Sequence, residues 1–323
     1  MTDLAPSLLP YFVFFAFVST TLLLLPFWPT WREWYQPSDK AALMVSQGQT
    51  NDPSYLAQQF RAQIQTQLAN GTPVQNGSLK AAAALVQPLY ATADLTLDRK
   101  LQLREVLCLG SLTIGTEGQI SGWAHSDLAV VMAENCVMVR RVSSGLSISL
   151  ADRCSFERLH APVVHFGQPP VLRSAGRKQP VLQMLRHLAG AQRWGENAWR
   201  VDGDCEIPAR HQFTGSLVVM GTLRVGEGTL IDGNVKAHKG ICMGAGSHIT
   251  GAVVCANGIH ILTGSVVGGP LVSETHVLLH TRVCVGAPNA PTTVSASNIL
   301  VDHGVTVHGT VWAREAGVVL ELA

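Results

Sequence analysis

Residues 221–254, GTLRVGEGTLIDGNVKAHKGICMGAGSHITGAVV, decide the fold. Val225, Ile231, Ala237, Met243 and Ile249 stand six apart, and the same step reaches back to Val201 and on to Val285. Of the fifteen positions in that series all but Ser273 are apolar, where a chain that is 47% hydrophobic would place about seven by chance. A fixed short period of this kind marks a repeat architecture rather than a compact globule. Four residues after many leads comes a second apolar side chain, giving Val235-x-Ala237, Ile241-x-Met243, Val253-x-Cys255 and Ile259-x-Ile261. Each is a short strand fragment with two side chains in and one out, and the three residues between fragments turn a corner.

A longer rhyme fixes the coil. Phe213-Thr-Gly215, Ile231-Asp-Gly233, Ile249-Thr-Gly251 and Val267-Gly-Gly269 recur every 18 residues, so one coil has three sides of six, with Phe213, Ile231, Ile249, Val267 and Val285 stacked in its core. Glycine falls at corners, where positive φ or a close approach excludes a side chain. The template appears upstream as Ile120-Ser-Gly122-Trp-Ala124, with Met138, Val142, Ile148, Phe156, His160 and Phe166 as later inward positions, and downstream as Val307-His-Gly309. The expected fold class is all-β: a three-sided parallel β-helix of about 18 residues per coil, with an N-terminal transmembrane helix and a helical insertion. About ten coils at roughly 4.8 Å per strand make a rod roughly 50 Å long.

The N-terminal 30 residues read as the anchor, because Leu8 to Trp28 carries no charge over 21 residues, enough for a helix to cross about 30 Å of hydrocarbon. Trp28, Trp31, Trp34 and Tyr35 form an interfacial belt, and Arg32 and Lys40 follow the span while no basic residue precedes it. That asymmetry places the body in the cytoplasm, on two charges only, with a periplasmic body as the alternative. Residues 31–95 read as a juxtamembrane linker in which Leu56, Phe60, Ile64 and Leu68 stripe a helix over Ser54 to Asn70, and a second short helix starts near Lys80. Residues 96–166 form the first solenoid segment, 167–194 an insertion and 195–323 the second segment. The insertion is the most basic stretch, with Arg173, Arg177, Lys178, Arg186 and Arg193, and Val181, Leu182, Leu185 and Leu188 share a face of an expected helix over Val181 to Arg193. Such a helix either packs as a lid between the two segments or lies on an anionic membrane.

Composition excludes some functions. Lys and Arg number 23 against 22 Asp and Glu, so no broad basic surface is available for nucleic acid. Seven cysteines never occur as CxxC, which argues for a reducing compartment without disulfides or structural zinc. The repeat pattern points Cys108, Cys136, Cys154, Cys205 and Cys255 inward and Cys242 and Cys284 outward. Asp202, Asp204, Glu206, Glu227, Asp232 and Glu274 are scattered over separate corners, unlike the paired carboxylates of sugar hydrolysis. His238, His260 and His276 fall mostly at corners or outward, at separations of 16 to 22 that stack only approximately, so no metal ligand is assigned to them, and no catalytic or cofactor-binding residue is assigned elsewhere. The enzymatic alternative is a hexapeptide-repeat acyltransferase, for which His187 is the available base.

The run from Val201 to Val285 resembles the bactofilins, polymer-forming bacterial cytoskeletal proteins, through its I-x-G-x-V repeat at 18-residue spacing. The resemblance implies a β-helix that polymerises end to end without a nucleotide, associates with the inner membrane and scaffolds membrane-bound enzymes of cell-wall or surface-polysaccharide synthesis. It implies a homo-oligomer or polymer as the first partner. The full membrane span, the interrupted solenoid and the N-terminal sequence depart from the family pattern. A parallel solenoid also ends in open strand edges, so the terminal GVVLELA run makes Val318, Val319 and Leu320 a candidate end interface. Val218, Val254 and Val272 lie in one outward column, interrupted by Lys236, and make a candidate lateral interface. A third reading is an accessory subunit of a membrane complex that does not polymerise.

Overall fold

A computed structural model describes residues 9–28, 31–32, 62, 65–66, 77–79, 88–167, 182–185 and 188–321. Two units separate, residues 1–52 and 53–323. In the first, helix α1 covers Leu9–Leu24 and continues as one 3-10 turn over Leu25–Phe27. Its side chains from Pro10 onward are exposed except for the half-buried Val18, and Pro10–Phe27 is long and apolar enough to cross a membrane, as a signal sequence would also be. Of the linker, Ala62, Gln65 and Thr66 are helical; Leu56, Phe60, Ile64, Leu68 and the segment from Lys80 to Ala84 lie outside the described residues.

The second unit is a parallel β-solenoid of about 12 turns at about 18 residues per coil. All fifteen leads of the hexad series from Val201 to Val285 are buried, Ser273 included, whose hydroxyl donates to the Asn257 carbonyl at 2.6 Å. One inner ladder threads the rod. Leu95, Leu112, Val130, Ile148 and Val164 pair in sequence. Val164 then pairs with Val307, and the ladder runs on through Val285, Val267, Ile249 and Ile231 to Phe213. Residue numbers therefore rise along the first stack and fall along the second.

That reversal corrects the expectation of one stack broken by a lid. The last strand of the first stack, Ser155–Phe166, pairs antiparallel with the last strand of the second, Val305–Val319. Inverting a stack while keeping its apolar face inward must reverse its strand direction, so two C-terminal edges can meet in one rod only in this way. The candidate end at Val318, Val319 and Leu320 is thus closed by the chain itself. Val318 lies opposite Ser155, Val319 is fully buried, and the Val319 N–H donates to the Cys154 carbonyl at 2.9 Å. Pairing satisfies backbone groups that an open edge would leave to water or to another molecule.

Three boundaries shift. The first stack starts before residue 96, since Leu89–Ala91 pairs with Val106–Cys108 and Gly77–Leu79 with Leu95–Leu97. His160 is not an inward position; the register shifts between Phe156 and Arg158, and Leu159 takes the core side. The described part of the insertion is also not helical. Gln183–Met184 pairs with His211 and Gln212, and Ala191–Arg193 runs antiparallel to Trp199–Val201. The first coil of the second stack has an open edge there, and strand pairing meets its backbone groups where a helix would not. Leu185 and Leu188 pack on the core as a partial cap, around a cavity of about 240 Å³ that Trp199 and Phe213 also line.

Candidate functional site

The junction gathers side chains that lie far apart in sequence. Along its outer face the register aligns Trp123 with Arg141, Arg141 with Arg158, and Arg158 with Trp312. The Arg141 guanidinium lies 5.0 Å from the Trp123 ring centroid and that of Arg158 lies 4.9 Å from Trp312. Two cations therefore stand on adjacent strands, each against an indole. Burial holds both guanidinium pKa values below the usual range, and for Arg141 the charge of Arg158 adds to the effect.

The same column continues down the second stack. Trp312 aligns with Ser295, then Val272, Val254, Lys236, Val218 and Arg200. The candidate lateral residues Val218, Val254 and Val272 are half-buried and face the same side as the Arg/Trp ladder. At the far end Arg200 stacks on Trp194 at 4.9 Å and pairs with Asp202 at 2.7 Å. The core residues Phe213, Ile231, Ile249, Val267 and Val285 are all buried, as the repeat requires.

Two positions further along the same strands, beyond the buried apolar column of Ala124, Val142 and Leu159, lies a polar column. His125 pairs with Ser143 and Ser143 with His160. His125 Nδ1 is 2.8 Å from Ser143 Oγ, and its Nε2 is 3.1 Å from Asp127 Oδ1. A serine, an imidazole and a carboxylate in series have the order of a hydrolytic relay. Both His125 and Ser143 are buried. Hydrolysis needs room at the hydroxyl and oxyanion donors facing it, so the relay is read as satisfying buried polar groups. His160 Nδ1 meets Thr310 Oγ1 across the junction at 2.7 Å, and His165 Nδ1 meets Thr306 Oγ1 at 3.3 Å. Burial lowers the pKa of both, with Arg158 and Arg141 adding to the shift of His160 and His308 to that of His165.

Elsewhere polar side chains tie neighbouring coils together. Asp204 Oδ1 accepts the Thr222 N–H at 2.8 Å and Asp232 Oδ1 accepts the Thr250 hydroxyl at 3.0 Å, each tying one coil to the next. His260 and His276 bring their Nε2 atoms to 3.2 Å, but among the described residues no three His, Cys, Asp or Glu side chains are placed to hold a metal ion. The cysteines divide as the pattern indicated, five buried and Cys242 and Cys284 half-buried, all free. Burial pushes the Cys205 thiol up to about 11, so it is not a ready nucleophile. His187, Arg173, Arg177, Lys178 and Arg186 lie outside the described residues. No known protein family, curated protein or solved structure matches the chain.

Sequence reading missed the ladder although part of its signal was present. Trp123 and Arg141 are 18 apart, as are His125 and Ser143. The step from Arg141 to Arg158 is 17 because of the register shift, and the pairing of Arg158 with Trp312 requires the reversal of the second stack.

Proposed function

We propose that this chain is a membrane-anchored solenoid scaffold of bactofilin type, held at the bacterial inner membrane by α1, with its body in the cytoplasm, and recruiting membrane-bound envelope or polysaccharide-synthesis proteins. The observation that carries the reading is a rod of uniform coils whose C-terminal edges are consumed within the chain. A scaffold that grows by stacking needs free edges, and the pairing of Ser155–Phe166 with Val305–Val319 supports the variant in which the rod is a subunit of fixed length. Its long side faces, rather than the C-terminal edge, are then the surfaces for partners. Arg32 and Lys40 after the span support the orientation.

Sedimentation of the detergent-solubilised chain tests the reading. A particle whose size does not grow with concentration is expected, and removal of residues 302–323, which uncovers the inner edge, should produce concentration-dependent assemblies. Filaments of the intact chain in electron micrographs would overturn the fixed-length variant. Calorimetric binding of a CoA thioester would replace the scaffold by an acyltransferase.

A further inference from the structure

We propose that the junction face carries an oxyanion-binding site in which Arg141 and Arg158, braced by Trp123 and Trp312, clamp one phosphate, sulfate or carboxylate group of a ligand that bridges the two stacks.

Like charges directly opposite on neighbouring strands are unfavourable, and here both charges are half-buried. Among the described residues neither guanidinium donates a hydrogen bond or meets a carboxylate, and each lies against an indole ring. A cation–π contact uses the charge of a guanidinium but none of its five N–H donors. Two forks thus stand on neighbouring strands, whose backbones lie about 4.8 Å apart, with their donors unspent. An oxygen anion between them removes the repulsion and supplies acceptors to both. Arg200 shows the contrasting arrangement, since it has the same stacking on Trp194 but is already neutralised by Asp202. The lowered pKa values at Arg141 and Arg158 agree with cations that lack a counter-charge. Arg141 belongs to the first stack and Arg158 to its terminal strand, while Trp312 comes from the second, so the site is complete only when the junction is closed.

Isothermal titration calorimetry of the full chain in detergent, at constant ionic strength, tests the site with inorganic phosphate, sulfate and glucuronate, and with glucose as a neutral control. Saturable binding of at least one anion and none of glucose is expected. Phosphate or sulfate in preference assigns a tetrahedral oxyanion, and glucuronate in preference assigns the carboxylate of an acidic sugar. Arg141→Gln and Arg158→Gln should each weaken binding roughly tenfold or more, the equivalent of about 1.4 kcal/mol. Arg200→Gln should leave it unchanged. Arg141→Lys keeps the charge and most of the stem, so it should fold and bind more weakly than the native chain but more tightly than the glutamine variant. Absence of binding by all three anions, or binding that survives in both glutamine variants, overturns the proposal.

Discussion

The middle coils of the second stack and the junction bury their backbones by opposite means. From Phe213 to Val285 the strands are two to four residues long, the corners are turns, and each coil pairs with the next in parallel at a constant 18-residue step. At the junction the two strands are 12 and 15 residues long, run through corners on register shifts and pair antiparallel. A repeat tolerates uniform small residues because every coil meets a copy of itself. The junction joins two unlike coils and relies on particular fits, which is where unusual side chains collect.

The largest effect tests the middle coils. Ile249 is fully buried and pairs with Ile231 and Val267. Ile249→Asp places a carboxylate in an apolar column at a cost of several kcal/mol, and circular dichroism should show the second stack unfolded or melting far below the native chain. A native melting curve would mean that the register is wrong.

Glycine substitution then sets the two regions directly against each other. A Cβ on Gly317 would lie 2.3 Å from a ring atom of Phe156, whose ring packs against Phe166 at 5.6 Å between centroids. Because that ring sits in the core and cannot swing away, Gly317→Ala should cost about 2–3 kcal/mol by overpacking. Gly264 in the middle coils has φ +68 and nothing within 4 Å of a Cβ, so Gly264→Ala meets only the backbone penalty of about 1 kcal/mol. Chemical denaturation should rank the two in that order; equal losses would deny the junction its tighter fit.

Acid should open the junction in preference. His160 and His165 both bond to threonines across it, and both are held below their ordinary pKa. The neutral imidazoles therefore favour the folded state, whose stability is complete above about pH 6.5 and declines as pH falls below that toward the folded pKa values. His248 and His260 in the second stack shift in the same direction, so the native chain has contributions from both regions. Replacing His160 and His165 by glutamine should reduce the slope of melting temperature against pH between about 7 and 5. An unchanged slope would move the acid sensitivity to the second stack.

The contrast also explains what the sequence disclosed. Ile231, Ile249 and Val267 announced themselves because a parallel stack repeats its environment at a fixed spacing, and the inward cysteines followed from the same count. Antiparallel closure has no such period. Nothing in the spacing of Phe156 or Gly317 says that the two will lie opposite one another, because the pairing joins residues about 150 apart through a reversal set in three dimensions. His160 failed for a local reason, a register shift that turned Leu159 inward. The expected insertion helix failed because Gln183–Met184 and Ala191–Arg193 met the open edge of a sheet, and edge pairing outweighed a narrow apolar stripe.

The smallest effect concerns a corner that both regions share. At this corner the chain takes the left-handed conformation coil after coil; in the second stack Gly228, Gly246, Gly264 and Gly304 do so at φ from 63 to 68, but Arg210 and Arg282 hold the same corner at φ 61 and 59. If the corner is a conformational requirement and not a contact, Arg282→Gly should relieve left-handed strain while adding flexibility to the unfolded chain. The two terms are each about 0.5–1 kcal/mol and oppose one another, so the melting temperature should barely move. Arg282→Val meets the strain without relief, since a β-branched side chain is disfavoured at positive φ, and should cost more than about 1 kcal/mol. Should valine prove as neutral as glycine, the corner would not hold the coil, and the regularity of the middle stack would rest on its buried columns alone.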